Sequence, residues 1–126
     1  MLPLFDEPEQ PGAFDRRGLA TRLAALREEQ VWIGTSSWKY EGWLDQIYTR
    51  SRYVTRGRFS QKRFEQECLA EYAEVFPIVC GDFSFYQFPT DAFWAKLFGG
   101  APRALHYALK VPEEITAKVF PAHSRY

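Results

Sequence analysis

The amino-acid sequence predicts an α/β fold in which three parallel strands alternate with amphipathic helices. Short apolar segments recur at residues 31–36, 78–83 and 104–111, and a segment with apolar side chains at helical spacing precedes each of them. Strands that alternate with helices are joined by right-handed crossovers, and such crossovers produce a parallel sheet.

Residues 1–18 are predicted to form an extended arm, because this stretch contains three prolines and two glycines. A short amphipathic helix is predicted for residues 19–29, and the first strand for residues 31–36. That strand is apolar on both faces except at its end, as expected for a sheet covered on both sides. The connection that follows, residues 37–59, exceeds the usual length of a strand-to-helix loop and is therefore predicted to be functional or mobile.

The next helix is predicted to begin after Ser60, whose hydroxyl is a favourable N-cap. Phe59 and Phe64 are spaced to form a hydrophobic staple across that cap, and Pro77 ends the helix. The second strand follows at residues 78–83.

Thr90 is predicted to cap a short helix that two glycines close, and the third strand follows at residues 104–111. That strand alternates two kinds of side chain. Large apolar side chains occupy one face, at Leu105, Tyr107, Leu109 and Val111. Small or polar side chains occupy the other, at His106, Ala108 and Lys110. A small, polar face favours the interior of a barrel, because a doubly wound sheet would be apolar on both faces.

Composition argues against several classes of partner. The chain has 16 basic and 16 acidic residues, so no global field attracts nucleic acid or an acidic membrane. No apolar run approaches the roughly 20 residues that span a bilayer. The start of the chain lacks the features of a secretory signal, so a cytoplasmic protein is predicted. Cys68 and Cys80 are the only cysteines and lack CxxC spacing, which predicts reduced, packed thiols.

Three motifs occur in a fixed order along the chain. They are IGTSSWKYEGW at residues 33–43, GDFSFYQFP at 81–89 and HYALKVPEEIT at 106–116. Together they resemble the signatures of the YecE-like family, known as domain of unknown function 72. The sequence departs from the family pattern at Ser37, where glycine is usual, and at Asp82, where asparagine is common. Ala117 and Lys118 also follow the last motif where the family often has a histidine.

The resemblance implies a TIM-type barrel, in a family whose biochemical activity is not established. A complete barrel of this type needs roughly 250 residues. Residues 19–126 are therefore predicted to form the N-terminal portion of such a barrel, truncated after its third strand. The two open sheet edges would make the isolated chain marginally stable or lead it to self-associate.

The active site of a TIM-type barrel lies at the carboxyl ends of its strands. On this basis Lys110 and Asp82 are predicted to be catalytic. Other polar and aromatic side chains near the three strand ends are predicted to bind substrate: Thr35, Ser36, Trp38, Lys39, Tyr40, Tyr86 and Glu113.

Each of the two catalytic assignments has a structural alternative. Lys110 can bind an anion or act with a lowered pKa, or its ammonium can simply pair with Asp82 or Glu113. Asp82 can act as a general base or metal ligand, or it can cap the following turn. His106 lies deeper in its strand and is predicted to be a core histidine with its hydrogen bonds satisfied.

A metal site is not predicted. Glu113, Glu114 and His123 are residue types that bind divalent cations, but the set is incomplete without further strands. The sequence leaves any cofactor unknown.

A basic segment runs from Arg50 in the long connection to Arg63 in the second helix and contains no acidic residue. Its basic side chains are Arg50, Arg52, Arg56, Arg58, Lys62 and Arg63, and they are interleaved with Tyr48, Tyr53 and Phe59. Basic residues that alternate with aromatic ones are typical of surfaces for single-stranded nucleic acid or phosphate. The alternative is a solvated loop whose charge is balanced by acidic helix faces.

Three functions therefore stay open at the level of sequence. The first is a barrel enzyme that acts on a phosphorylated or nucleotide-like small molecule at the strand ends. The second is a module that binds or processes nucleic acid through the basic segment. The third is a truncated fragment without independent activity.

Overall fold

The computed structural model describes residues 14–116. Five α-helices lie in this range: α1 (Arg16–Glu28), α2 (Gln61–Tyr72), α3 (Phe83–Tyr86), α4 (Asp91–Gly99) and α5 (Glu113–Thr116). The strands are β1 (Gly34–Thr35), β2 (Val54–Thr55), β3 (Arg58–Phe59), β4 (Ile78–Gly81) and β5 (His106–Leu109).

The main sheet has three parallel strands in the order β1–β4–β5, so β4 is its central strand. This arrangement confirms the predicted α/β class and the parallel sheet. The strands are shorter than predicted, and β1 retains only two of the six predicted residues. Because β4 begins at Ile78, which pairs with Gly34, the residues before Gly34 have no β4 backbone opposite them.

The predicted caps are confirmed. The Ser60 hydroxyl accepts a hydrogen bond from the Arg63 backbone N–H at 3.2 Å, and the rings of Phe59 and Phe64 lie 6.0 Å apart. Thr90 caps α4 in the same way, at 3.2 Å from the Phe93 nitrogen. The first helix begins at Arg16, earlier than predicted, because Asp15 caps it; residues 1–13 of the predicted arm lie outside the described residues.

The long connection between β1 and α2 contains regular structure. It contains two short 3₁₀ helices, Glu41–Trp43 and Arg50–Tyr53, followed by a hairpin formed by β2 and β3. Arg56 and Gly57 form the hairpin turn, and both have positive φ angles, of 51° and 77°. Two consecutive positive φ angles match the twist of a tight hairpin, and Gly57 suits its position because glycine adopts a positive φ without steric cost.

The core lies between the sheet, α2 and this connection. Phe64 is fully buried, and the rings of Tyr48 and Tyr53 meet it edge-on, each at a centroid distance of 5.1 Å. Trp43 packs on Tyr48 and on Phe76. Tyr48 and Tyr53 are therefore core residues and do not interleave with the basic side chains on a surface.

Both cysteines are free, in agreement with the sequence prediction. Cys68 is buried in α2 and Cys80 is partly buried in β4. None of the helices between residues 14 and 116 is long and apolar enough to cross a membrane.

Candidate functional site

The register of the sheet places Gly34, Ile78, Cys80, His106 and Ala108 on one face, and all of them except Ile78 are small or polar. Gly34 pairs with Ile78, Ile78 with His106, and Cys80 with Ala108. Because side chains alternate along a strand, these residues point away from the face that carries Val79 and Tyr107. Val79 is 1% exposed, and Tyr107 packs against the same core. The predicted division of the third strand into a packed face and a small, polar face is confirmed for residues 105–110, whereas Val111 lies beyond the strand and is 50% exposed.

An open cavity of about 400 Å³ lies at the carboxyl ends of the three parallel strands. We call it the strand-end cavity, and its lining consists of Ser36, Cys80, Gly81, Asp82, Ala108, Leu109 and Lys110. Three of the predicted site residues, Ser36, Asp82 and Lys110, come from three different strand ends and meet here. They lie 46 and 28 positions apart in the chain, so only the parallel sheet brings them together.

Hydrogen bonds fasten the two strand ends that carry Asp82 and Lys110. The Lys110 backbone N–H donates to the Gly81 carbonyl at 3.2 Å, and the Ser84 hydroxyl donates to the Lys110 carbonyl at 2.6 Å. Ser84 is 2% exposed, so its hydroxyl is committed to this bond. Sequence reasoning missed Ser84, although a single hydroxyl between aromatic residues just after a strand was a usable signal.

The Lys110 ammonium makes a contact that the sequence did not predict. It lies 5.5 Å from the centroid of the Phe85 ring, within the range of a cation–π interaction. Within residues 14–116, no ion pair joins Lys110 to Asp82. Since Lys110 is exposed and is held on an aromatic face, its charge stays accessible from the strand-end cavity.

Thr35 has a structural environment and does not line the strand-end cavity. Its backbone N–H donates to the Tyr72 hydroxyl at 2.9 Å, and its own hydroxyl donates to the Ser37 carbonyl at 2.7 Å. Tyr72 in turn donates to the Ile78 carbonyl at 2.9 Å, so this side chain of α2 bridges β1 and β4. Burial raises the pKa of Tyr72, which keeps the hydroxyl protonated for that donation.

The remaining predicted binding residues lie elsewhere. Trp38 and Lys39 line a second cavity, between α2 and α4. Tyr40 packs edge-on against Trp43 and is 57% exposed, and Tyr86 is 64% exposed and meets Phe85 edge-on. Glu113 is partly buried at the start of α5.

Three of the six basic side chains in the segment form ion pairs with carboxylates. Arg50 pairs with Asp45 at 3.0 Å, and Arg63 pairs with Glu67 on α2 at 3.1 Å. Arg52 pairs with two acidic side chains of the α2 region, Glu71 at 3.0 Å and Glu74 at 2.9 Å. Two further side chains, Arg56 and Arg58, are exposed on the hairpin. Arg52 therefore holds the connection against α2, whereas the pair of Arg50 lies within the connection and that of Arg63 within α2. The three pairs agree with the alternative in which acidic side chains balance the basic charge.

His106 is exposed, which corrects the expectation of a core histidine. Its Nδ1 lies 3.1 Å from the Ala104 carbonyl, and its ring lies 4.1 Å from that of Trp32. The reason is that His106 belongs to the open face of the sheet. No group of three or more potential metal ligands occurs within residues 14–116, and His123 lies outside this range.

The two thiols provide a direct experimental view of the strand-end cavity. Burial raises the pKa of the Cys68 thiol to about 12, and this side chain is fully buried, whereas Cys80 lines the cavity. Because the thiolate is the reactive species, we expect a chromogenic thiol reagent to modify only Cys80 in the native protein. Titration should count one reactive thiol before denaturation and both cysteines afterwards. Rapid native labelling of a Cys80→Ser variant would contradict this assignment.

The fold and the cavity define an α/β domain with polar side chains gathered at the carboxyl ends of parallel strands. The family model described as "Protein of unknown function DUF72" matches residues 32–123, which is most of the chain. The protein belongs to this family, in agreement with the resemblance of its three motifs. No curated protein and no solved structure matches the chain.

Proposed function

We propose that the strand-end cavity binds a small phosphorylated or nucleotide-like molecule and that the domain acts on it as an enzyme. The observation that supports this proposal is the convergence of Ser36, Asp82 and Lys110 on one cavity of about 400 Å³. This volume lies within the roughly 300 to 1,000 Å³ typical of small-molecule sites. A cation, a carboxylate and a hydroxyl on a largely apolar lining are also the usual composition of such sites.

The three side chains would have different roles. The Lys110 ammonium would contact the phosphate as a point charge with three donors. The Ser36 hydroxyl would accept from or donate to a ligand hydroxyl, and the Asp82 carboxylate would accept a proton as a general base. Ser84, which bonds the Lys110 carbonyl, would keep the cation in place without touching the ligand.

We further propose that β1, β4 and β5 are consecutive strands of a TIM-type barrel. In support, the strands are parallel, lie side by side in the order in which they occur in the chain, and are separated by helices. The face that carries Cys80, Ala108 and Lys110 would be the barrel interior. In such barrels the carboxyl ends of the strands carry the active site, and the strand-end cavity lies at those ends.

Ligand binding tests the proposed site. We expect glucose 6-phosphate or adenosine monophosphate to raise the melting temperature and to slow modification of Cys80, because an occupant would cover that thiol. Lys110→Ala should weaken the binding about 10-fold or more, since a hydrogen bond to a charged group contributes about 1.5 to 3 kcal/mol. Titration calorimetry would measure the dissociation constants.

The matched control is Lys62→Ala, which removes an exposed lysine of α2 outside the strand-end cavity. It should leave both the affinity and the protection of Cys80 unchanged. If no phosphorylated probe binds, or if Lys110→Ala and Lys62→Ala bind a probe equally well, the proposed site is wrong.

A further inference from the structure

A second cavity of about 300 Å³ lies between α2 and α4, and the start of the long connection forms part of its lining. We call it the interhelix cleft, and its lining consists of Trp38, Lys39, Glu65, Gln66, Leu69, Phe93, Lys96, Leu97 and Gly100. It shares no lining residue with the strand-end cavity. We propose that the interhelix cleft binds a small aromatic carboxylate, a site and a ligand class separate from the proposed function of the strand ends.

The floor of the cleft is apolar and well packed. Leu69 of α2 and Leu97 of α4 are 5% and 8% exposed and belong to the hydrophobic core. Phe93 and Trp38 add two aromatic side chains to this lining. Ring faces beside buried leucines favour a flat apolar ligand, because aromatic pairs gain energy beyond the area that they bury.

The Trp38 side of the cleft is held before any ligand binds. The Tyr48 hydroxyl and the Cys68 thiol both donate to the Trp38 backbone carbonyl. The Trp38 ring meets the Phe83 ring edge-on, at a centroid distance of 6.4 Å. A wall that is already ordered costs less entropy on binding than a wall that must be ordered by the ligand. The cleft is therefore preorganised on the side where a ring would stack.

The charges on the cleft favour an anion. Lys39 and Lys96 contribute two ammonium groups, and within residues 14–116 neither has an ion-pair partner. The Lys39 ammonium lies 5.8 Å from the centroid of the Trp38 ring. Glu65 is the single carboxylate of the lining, and it accepts a hydrogen bond from Gln61 at 3.2 Å.

The charge balance distinguishes a carboxylate from a phosphate. Two lysines and one glutamate give the lining a net charge of +1 (2 − 1 = 1). A monoanion neutralises this charge, whereas a phosphate monoester carries close to two negative charges at neutral pH. The volume also suits a ligand with one ring, since it lies at the lower end of the range for small-molecule sites.

Phenylacetate is the probe of choice, with two matched analogues that each lack one feature. Phenylacetamide keeps the ring without the charge, and acetate keeps the charge without the ring. Titration calorimetry should show saturable binding of phenylacetate and at least about 10-fold weaker binding of both analogues, as expected for loss of a charged hydrogen bond or of a buried ring. Equal binding of phenylacetamide would overturn the proposed charge selectivity.

Variants then locate the site. Lys39→Ala and Lys96→Ala should each weaken phenylacetate binding about 10-fold, because each removes one charged donor. Both lysines are exposed, so the variants should fold normally, which their melting temperatures would verify.

Lys62→Ala, on the same helix α2, is the control and should bind as the unmodified protein does. Lys110→Ala should also keep its affinity for phenylacetate, since Lys110 belongs to the other cavity. Unchanged binding in both the Lys39 and Lys96 variants, or loss of binding in Lys110→Ala alone, would overturn the proposal.

Discussion

Replacing Glu71 by alanine is expected to lower the free energy of unfolding by at least about 2 kcal/mol, because two hydrogen-bond donors lose their acceptor and each costs about 1 to 3 kcal/mol when it is left unpaired. Glu71 is 2% exposed, and its Oε1 accepts from the Thr49 backbone N–H at 2.8 Å and from the Tyr53 hydroxyl at 2.9 Å. Its Oε2 pairs with Arg52 at 3.0 Å. Urea denaturation followed by circular dichroism would measure the loss.

The size of this effect follows from what the alanine leaves behind. Burial raises the pKa of the Tyr53 hydroxyl, and the bond to Glu71 raises it further, so the hydroxyl stays a donor that needs an acceptor. The Thr49 N–H would lose its acceptor as well. A buried donor without a partner costs about 1 to 3 kcal/mol.

Glu67→Ala is the matched control on the same helix. Glu67 pairs with Arg63 at 3.1 Å, but both side chains are about half exposed, at 53% and 43%. Exposed pairs of this kind contribute about 0.2 to 1 kcal/mol, so a small loss is expected. If Glu71→Ala is no less stable than Glu67→Ala, the carboxylate does not hold the connection against α2.

Sequence predicted the features that a few neighbouring residues encode. Ser60 caps α2 and Thr90 caps α4 because the capping hydroxyl and the backbone N–H that it binds are only three residues apart. Glu71 is different. Along α2 and its end, several acidic residues occur at similar spacing, and none differs chemically from the others. Only the fold of the connection over α2 buries Glu71, and periodicity within the helix carries no information about that contact.

The candidate site likewise contains some residues that the sequence places correctly and others that it places wrongly. Ser36, Asp82 and Lys110 could be placed together because the carboxyl ends of parallel strands meet at one edge of a sheet. Trp38 and Lys39 follow Ser36 by two and three positions, and this proximity predicts that they belong to the same site. They line the interhelix cleft, because the chain turns toward α2 and α4 after the strand. The direction in which a chain leaves a strand depends on long-range packing, which the local pattern of residues does not encode.

Gly34→Ala is expected to destabilise the protein by about 1 to 3 kcal/mol, the usual cost of overpacking, and to disturb the strand-end cavity. A Cβ atom at Gly34 would lie 1.8 Å from the Ile78 carbonyl oxygen. That oxygen belongs to the central strand and also accepts from the Tyr72 hydroxyl at 2.9 Å, so it has little freedom to move. Strand β1 must therefore shift away from β4. Urea denaturation would measure the stability, and thiol modification would measure the exposure of Cys80.

The control is Gly99→Ala at the end of α4, where an added Cβ would meet no atom within 4 Å. This variant should change the stability by no more than about 0.5 kcal/mol. Since β1 pairs with β4 through two residues only, its displacement would leave the four-residue pairing of β4 with β5 in place. Cys80 should then react faster in Gly34→Ala, and phosphate ligands should bind less tightly because Ser36 moves with β1. Equal stability and equal Cys80 reactivity in the two glycine variants would show that Ser36 is not held in the cavity by this contact.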